Sequence, residues 1–192
     1  MERIRAFIAL EMPEPIRTSL ADLCERMKSE LSDVPLRWVP IPNMHLTLKF
    51  LGDVKPDQVE KIIHVINSQC SKYSPFDISL NELGAFPHPQ RARVLWVGVD
   101  SLPSLNKLVD AFEMDLAGLG FLRESRPYSP HLTLARVRGH ARPADLHRIN
   151  EVINSSPNPR SASAVANKIV LFRSELKPSG SVYNALSEFV LT

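Results

Sequence analysis

One four-residue segment occurs twice in this chain. His45-Leu46-Thr47-Leu48 returns letter for letter as His131-Leu132-Thr133-Leu134, 86 residues further on and a little under half of the 192-residue length away. The surroundings repeat as well. A proline-bearing stretch precedes each copy, Val39-Pro40-Ile41-Pro42 in one case and Arg126-Pro127-Tyr128-Ser129-Pro130 in the other. A strand-like segment follows each copy (Lys49-Phe50-Leu51 and Ala135-Arg136-Val137), then a glycine, Gly52 or Gly139, and then a helix-like pattern. Side chains alternate between the two faces of a strand. His45 and Thr47 therefore share one face while Leu46 and Leu48 face a core, and His131 and Thr133 repeat the arrangement. If the two strands lie about a pseudo-two-fold axis, two imidazoles and two hydroxyls converge on one cleft. Two histidines can supply one general base and one general acid, and two hydroxyls can hold an anion between them.

The rest of the chain reads as alternating strands and helices. Arg5–Leu10 is an apolar first strand. Leu20, Leu23, Met27 and Leu31 recur at helical spacing within 15–31, a pattern that predicts an amphipathic helix. A short strand at Leu36–Val39 comes before the first motif strand, and a helix starting at Lys55-Pro56-Asp57 comes after it. Phe76–Phe86 and Val94–Val99 read as a hairpin around Pro87–Arg91. A third helix carries Leu102, Leu105, Leu108, Phe112 and Leu116, and a fourth covers 143–154. Two last strands, 164–173 and 182–191, flank a turn at Lys177-Pro178-Ser179-Gly180, after a polar loop at Ser155–Arg160. This order predicts an α+β class with mostly antiparallel sheet. It also predicts one domain over residues 1–192, built from two interleaved lobes that cannot be cut apart.

Composition narrows the function classes. Hydrophobic residues make up 44% and charged residues 23%, ordinary values for a globular protein, and the net charge of +2 does not by itself call for nucleic acid. No run approaches the roughly 18 apolar residues of a membrane span. The two cysteines, Cys24 and Cys70, fit no metal or redox motif and are expected against helix cores in a reducing compartment, with the cytoplasm as the default. The remaining histidines (His64, His88, His140 and His147) show no metal-ligand spacing, so neither a metal nor another cofactor is expected.

The paired His-x-Thr segments resemble the signature of the 2H phosphoesterases. The likeness extends to Arg5–Leu10, Arg37-Trp38-Val39, His45 through Gly52, Gly84-Ala85-Phe86-Pro87, Val94 through Gly98, Pro130 through Val137, and Arg173-Ser174-Glu175-Leu176. These segments are similar to the bacterial and archaeal RNA 2′,3′-cyclic phosphodiesterase branch, first named for 2′-5′ RNA ligase activity. The resemblance implies a bilobal, pseudo-two-fold α+β fold, with two mostly antiparallel sheets facing a central cleft and helices outside. It also implies metal-independent hydrolysis of RNA 2′,3′-cyclic phosphate ends to 2′-phosphates. By resemblance His45 is the general acid and His131 the general base, although the symmetry of the motifs allows the two roles to be exchanged. Thr47 and Thr133 then hold the non-bridging oxygens. Two alternatives stay open: a 2′-5′ phosphodiesterase or reversible 2′-5′ RNA ligase, and a non-catalytic module that binds RNA ends. The expected partner is an RNA or oligonucleotide 3′ end, with no membrane involved and the protein acting as a monomer.

Five residues after each histidine stand Phe50 and Arg136, both good stacking surfaces for a nucleobase. An odd offset puts them on the face opposite the histidines, so only a bulge or a strong twist would bring them round. Otherwise Phe50 belongs to the core and Arg136 is a solvated strand end. Lys49, at an even offset, is expected on the His45 face, where it could meet phosphate. Tyr128 is expected to pack the proline-fixed turn and could line the cleft. Arg91 and Arg93 read as a solvated loop within reach of an RNA backbone. Glu11, Asp53, Glu82 and Asp115 are candidates to orient the imidazoles.

Overall fold

The computed structural model describes residues 3–101, 103–157, 159, 163–177 and 180–192. Among these it contains β1 (Ile4–Leu10), α1 (Glu14–Glu30), β2 (Leu36–Trp38), β3 (Leu46–Val54), α2 (Pro56–Cys70), β4 (Phe76–Phe86), β5 (Val94–Ser101), α3 (Pro103–Ala117), β6 (His131–Val137), α4 (Pro143–Ser155), β7 (Ser163–Ala166), β8 (Lys168–Lys177) and β9 (Gly180–Val190). Leu102, Pro178, Ser179 and most of the 158–162 loop lie outside the described residues.

Each helix takes a proline into its first turn, where the missing N–H leaves no hydrogen bond unmade. The helices that follow the two motif strands also begin alike. The Lys55 N–H is accepted by Gln58 Oε1 at 3.1 Å and the Arg142 N–H by Asp145 Oδ2 at 2.7 Å. A side chain in the first turn thus reaches back to the residue before the helix. The inner faces of the helices carry the expected residues: Leu20, Leu23 and Met27 on α1, Ile62 and Ile66 on α2, Leu105, Leu108, Phe112 and Leu116 on α3. Cys24 and Cys70 are buried, and burial pushes both thiols up to about 11.

The strands form two antiparallel sheets, in the orders β3-β1-β8-β9 and β2-β6-β5-β4-β7. The motif strands hold matching places, β3 beside β1 and β6 beside β5. The chain weaves between the sheets. β2, which lies between β1 and β3 in sequence, joins the second sheet beside β6. The helix that links β1 to β2 and β3 packs against β7 of the second sheet, and α3, which links β5 to β6, packs against β3 of the first. The residues expected as a single strand over 164–173 divide at Asn167. β7 pairs with β4 and β8 with β1, so this stretch passes from one sheet to the other. The Leu191 N–H donates to the Asn167 carbonyl at 2.9 Å and holds the crossing point.

Candidate active site

The two motif strands match in register as well as in letters. On β3 the ladder to β1 runs Ala9↔Thr47 and then Ile8↔Lys49, so Leu48 is an extra residue. On β6 the ladder to β5 runs Trp96↔Thr133 and then Leu95↔Ala135, so Leu134 is an extra residue. A bulge at the fourth letter of each motif shifts the alternation by one. Leu48 and Lys49 both face the core, as do Leu134 and Ala135, and the next residue turns outward.

This bulge decides three sequence expectations. Phe50 is 71% exposed rather than part of the core, and it returns to the histidine side. Its ring lies 6.1 Å from that of Phe7, which in turn stacks on His45 at 4.6 Å. Arg136 is likewise exposed, next to the buried Ala135. Lys49 is the correction. Plain alternation placed it beside His45, but the bulge sends it inward to 3% exposure. Its ammonium donates to Glu113 Oε2 at 2.7 Å and to the Leu122 carbonyl at 2.9 Å, so it does not line the cleft. Glu113 also accepts the Glu124 N–H at 3.0 Å. This buried ion pair fastens the segment that leads into β6 onto the first motif strand.

A second tie joins the same parts. The Tyr128 hydroxyl donates to the Thr47 carbonyl at 3.0 Å, across from the second motif to the first. Burial raises the Tyr128 phenol, so it stays protonated and keeps donating. β3 and β6 touch although they belong to different sheets.

Among the described residues, the imidazoles are oriented by backbone rather than by a carboxylate. His131 Nδ1 lies 2.8 Å from the Ser129 carbonyl, which can only accept, so Nδ1 carries the hydrogen. Nε2 is then the ring nitrogen left for proton transfer. The His45 ring is hydrogen-bonded to the backbone of Asn43, also two residues upstream. Glu11 instead pairs with Lys168 at 3.0 Å and Arg17 at 3.8 Å. Neither Thr47 nor Thr133 engages its hydroxyl among the described residues, so both hydroxyls remain available.

The rings around the two histidines differ. His45 has Phe7 stacked on it, Phe172 at 5.7 Å and the Tyr183 edge at 5.0 Å. His131 meets the edge of Phe86 at 4.9 Å and Trp96 at 6.2 Å. Phe172 and Phe86 occupy equivalent ladder places, opposite Phe7 and Val94 respectively. Trp96 lies over Gly84, where any Cβ would collide with its six-membered ring, which explains the glycine in Gly84-Ala85-Phe86-Pro87. Desolvation inside the aromatic cage pushes His45 down to about 4, only partly offset by the Asn43 bond. A cavity of about 190 Å³ opens beside it, lined by Glu11, Asn43, Phe172, Tyr183 and Glu188 among others.

A family model described as LigT like Phosphoesterase matches the chain twice, over residues 10–96 and 97–183, one His-x-Thr segment in each match. The chain belongs to the LigT-like phosphoesterase family. A protein named RNA 2′,3′-cyclic phosphodiesterase from Methanothermobacter thermautotrophicus is 34% identical over 98% of this chain and 100% of its own length. One of the same name from Aquifex aeolicus is 30% identical over 100% and 99%. Among solved structures, a Thermus thermophilus protein superposes with a TM-score of 0.82 at 25% identity, covering 98% of both chains. The Escherichia coli LigT crystal structure complexed with 3′-AMP superposes with 0.79 at 24% identity, over 100% of this chain and 99% of that one, and so shares the fold. The symmetry read from eight letters therefore extends over both halves of the chain. What the letters concealed was the shared bulge, because a bulge exists only relative to a partner strand.

Proposed function

We propose that this LigT-like phosphoesterase hydrolyses RNA 2′,3′-cyclic phosphate ends to 2′-phosphates with its two histidines as acid and base and without a metal. The observation that carries the reading is the matched pair of imidazoles on two equivalent bulged strands, each ring tied to backbone two residues upstream. Full-length relatives that bear the name of this activity support it. Thr47 and Thr133 offer free hydroxyls to the non-bridging oxygens, where charge builds up in the transition state. Both histidines come from one chain, so the proposed enzyme is complete as a monomer of two interleaved lobes.

Burial favours one order of the proton transfers. His45, held down to about 4 by its aromatic cage, is neutral at neutral pH and ready to take a proton from water. His131 then gives a proton to the departing 3′ oxygen. The P–O3′ bond breaks as the P–O(water) bond forms, and the phosphate remains on the 2′ oxygen. This exchanges the roles that the resemblance implies for the two histidines.

The reaction is tested with purified protein in excess chelator, an RNA oligonucleotide ending in a 2′,3′-cyclic phosphate, and identification of the product phosphate. A 2′-phosphate is expected. A 3′-phosphate would mean that the 2′ oxygen leaves and would overturn the geometry. No turnover of this end, with cleavage of a 2′-5′ linked dinucleotide instead, would transfer the site to that linkage.

Phe50 supplies the stacking surface for the terminal base in this reading. Phe50→Ala is expected to raise KM by about 5- to 150-fold, the range of one base–aromatic stack. Its melting temperature is expected to stay at the wild-type value, since the ring is mostly in solvent. Steady-state kinetics and thermal unfolding check the two halves of this expectation.

A further inference from the structure

We infer that Arg37 and Arg136 form a second anion subsite that takes the phosphodiester next to the reacting cyclic phosphate. Resting on the proposed function, this subsite makes the enzyme a reader of oligonucleotide ends rather than of mononucleotides.

The pairing of β2 with β6 sets Arg37 directly across from Arg136. Directly opposed residues of an antiparallel pair share a face. On β2, Leu36 is buried and Trp38 packs against the core, so Arg37 between them faces the other way. Arg136 faces that same way because of the bulge at Leu134. Both side chains are exposed, and neither is paired with a carboxylate among the described residues. Like charges set directly opposite each other destabilise a sheet. An anion received between two guanidiniums removes that cost and gains charge-assisted, bidentate bonds.

Two further observations place this pair at the cleft. Arg136 lies opposite Val94 and Thr133 opposite Trp96, two ladder steps apart on β5. Two steps are about 7 Å, of the order of the step from one phosphate to the next along an extended strand. The Arg37 guanidinium also reaches the β8–β9 hairpin of the other sheet. At Gly180, with φ +139°, an added Cβ would run into Arg37 Nη2. The Asn43 amide donates to the neighbouring Ser181 carbonyl at 3.4 Å, so the hairpin end sits between Arg37 and the residues that orient His45.

The test compares a nucleoside 2′,3′-cyclic phosphate with a trinucleotide bearing the same end, in wild type and Arg37→Gln. The variant is expected to lose at least ten-fold more kcat/KM on the trinucleotide than on the mononucleotide, with the difference carried by KM. For the trinucleotide, the slope of log affinity against log salt is expected to become shallower by about 0.7, the value for one single-strand phosphate contact. Arg37→Lys is expected to restore that slope, as charge alone governs it. Equal losses on both substrates would show that Arg37 only props the hairpin, and no loss on either would leave it idle; each outcome overturns the subsite. If the wild type turned over neither substrate, the proposed reaction would fail. Binding of the trinucleotide with a 2′-phosphate end would then decide separately, a slope unchanged by Arg37→Gln overturning the subsite and a shallower one upholding it.

Discussion

His45→Ala and His131→Ala are each expected to lower kcat on a cyclic phosphate end by about 10²- to 10⁴-fold, with the double variant little worse than the poorer single one. Acid and base act in the same transition state, so removing the second partner costs little once the first is gone. Single-turnover rates in all three variants check this, and losses that multiply would show that the histidines act in separate steps. A substrate whose 3′ leaving atom is sulfur distinguishes acid from base. A thiol ionises near pH 8.5, so the leaving group departs without a proton and the acid becomes dispensable. His131→Ala is expected to recover activity on this substrate and His45→Ala is not. The pH dependence of kcat/KM reads the pair rather than the roles, because the two singly protonated forms stand in a ratio that does not change with pH. On its acid side kcat/KM is expected to rise as His45 loses its proton near pH 4, a limb that His45→Ala removes.

The parts of this protein legible from its letters are those that depend on alternation and repetition. His45, Thr47, His131 and Thr133 stand out because the same four letters recur in the same company, and the sheets place them on equivalent strands. Apolar periodicity located α1, α2 and α3, and proline marked where α2 starts. The misreadings come from pairing, which no single segment encodes. Lys49 looked like a cleft residue because alternation was counted through Leu48, and the bulge that cancels this count exists only in the ladder with β1. The same count set Phe50 and Arg136 on the far face unless a bulge intervened, and the bulges in the two ladders bring them round. Residues 164–173 looked like one strand because no glycine or proline at 167 announces the change of sheet. Tyr128 was expected to pack its turn, and its hydroxyl bond to Thr47 connects residues 81 apart in sequence. Arg37 is one letter of the short Leu36–Val39 strand until its partner across the ladder is known to be another arginine.

Lys49→Met is expected to destabilise the protein by about 3–5 kcal/mol and to lower its melting temperature by roughly 10 °C. The reason is what the substitution leaves behind. The Lys49 and Glu113 side chains are 2% and 10% exposed, so without the ammonium a carboxylate stays buried with only the Glu124 N–H to bond it. Methionine fills the methylene volume of the lysine but cannot donate to Glu113 or to the Leu122 carbonyl. Adding Glu113→Gln to Lys49→Met removes the stranded charge, while the amide oxygen can still accept from Glu124. The double variant is therefore expected to melt well above the single one. Equal melting of the two would mean that packing, not the unpaired charge, accounts for the loss. The catalytic consequence follows a different bond. In both variants the Leu122 carbonyl has lost its donor, and the segment from 121 to 130 is fastened to the first motif strand chiefly through Tyr128 and Thr47. That segment delivers Ser129, whose carbonyl sets the His131 ring. The recovered stability of the double variant is thus expected without full recovery of kcat, which would separate the part this ion pair plays in folding from its part in aiming the second histidine.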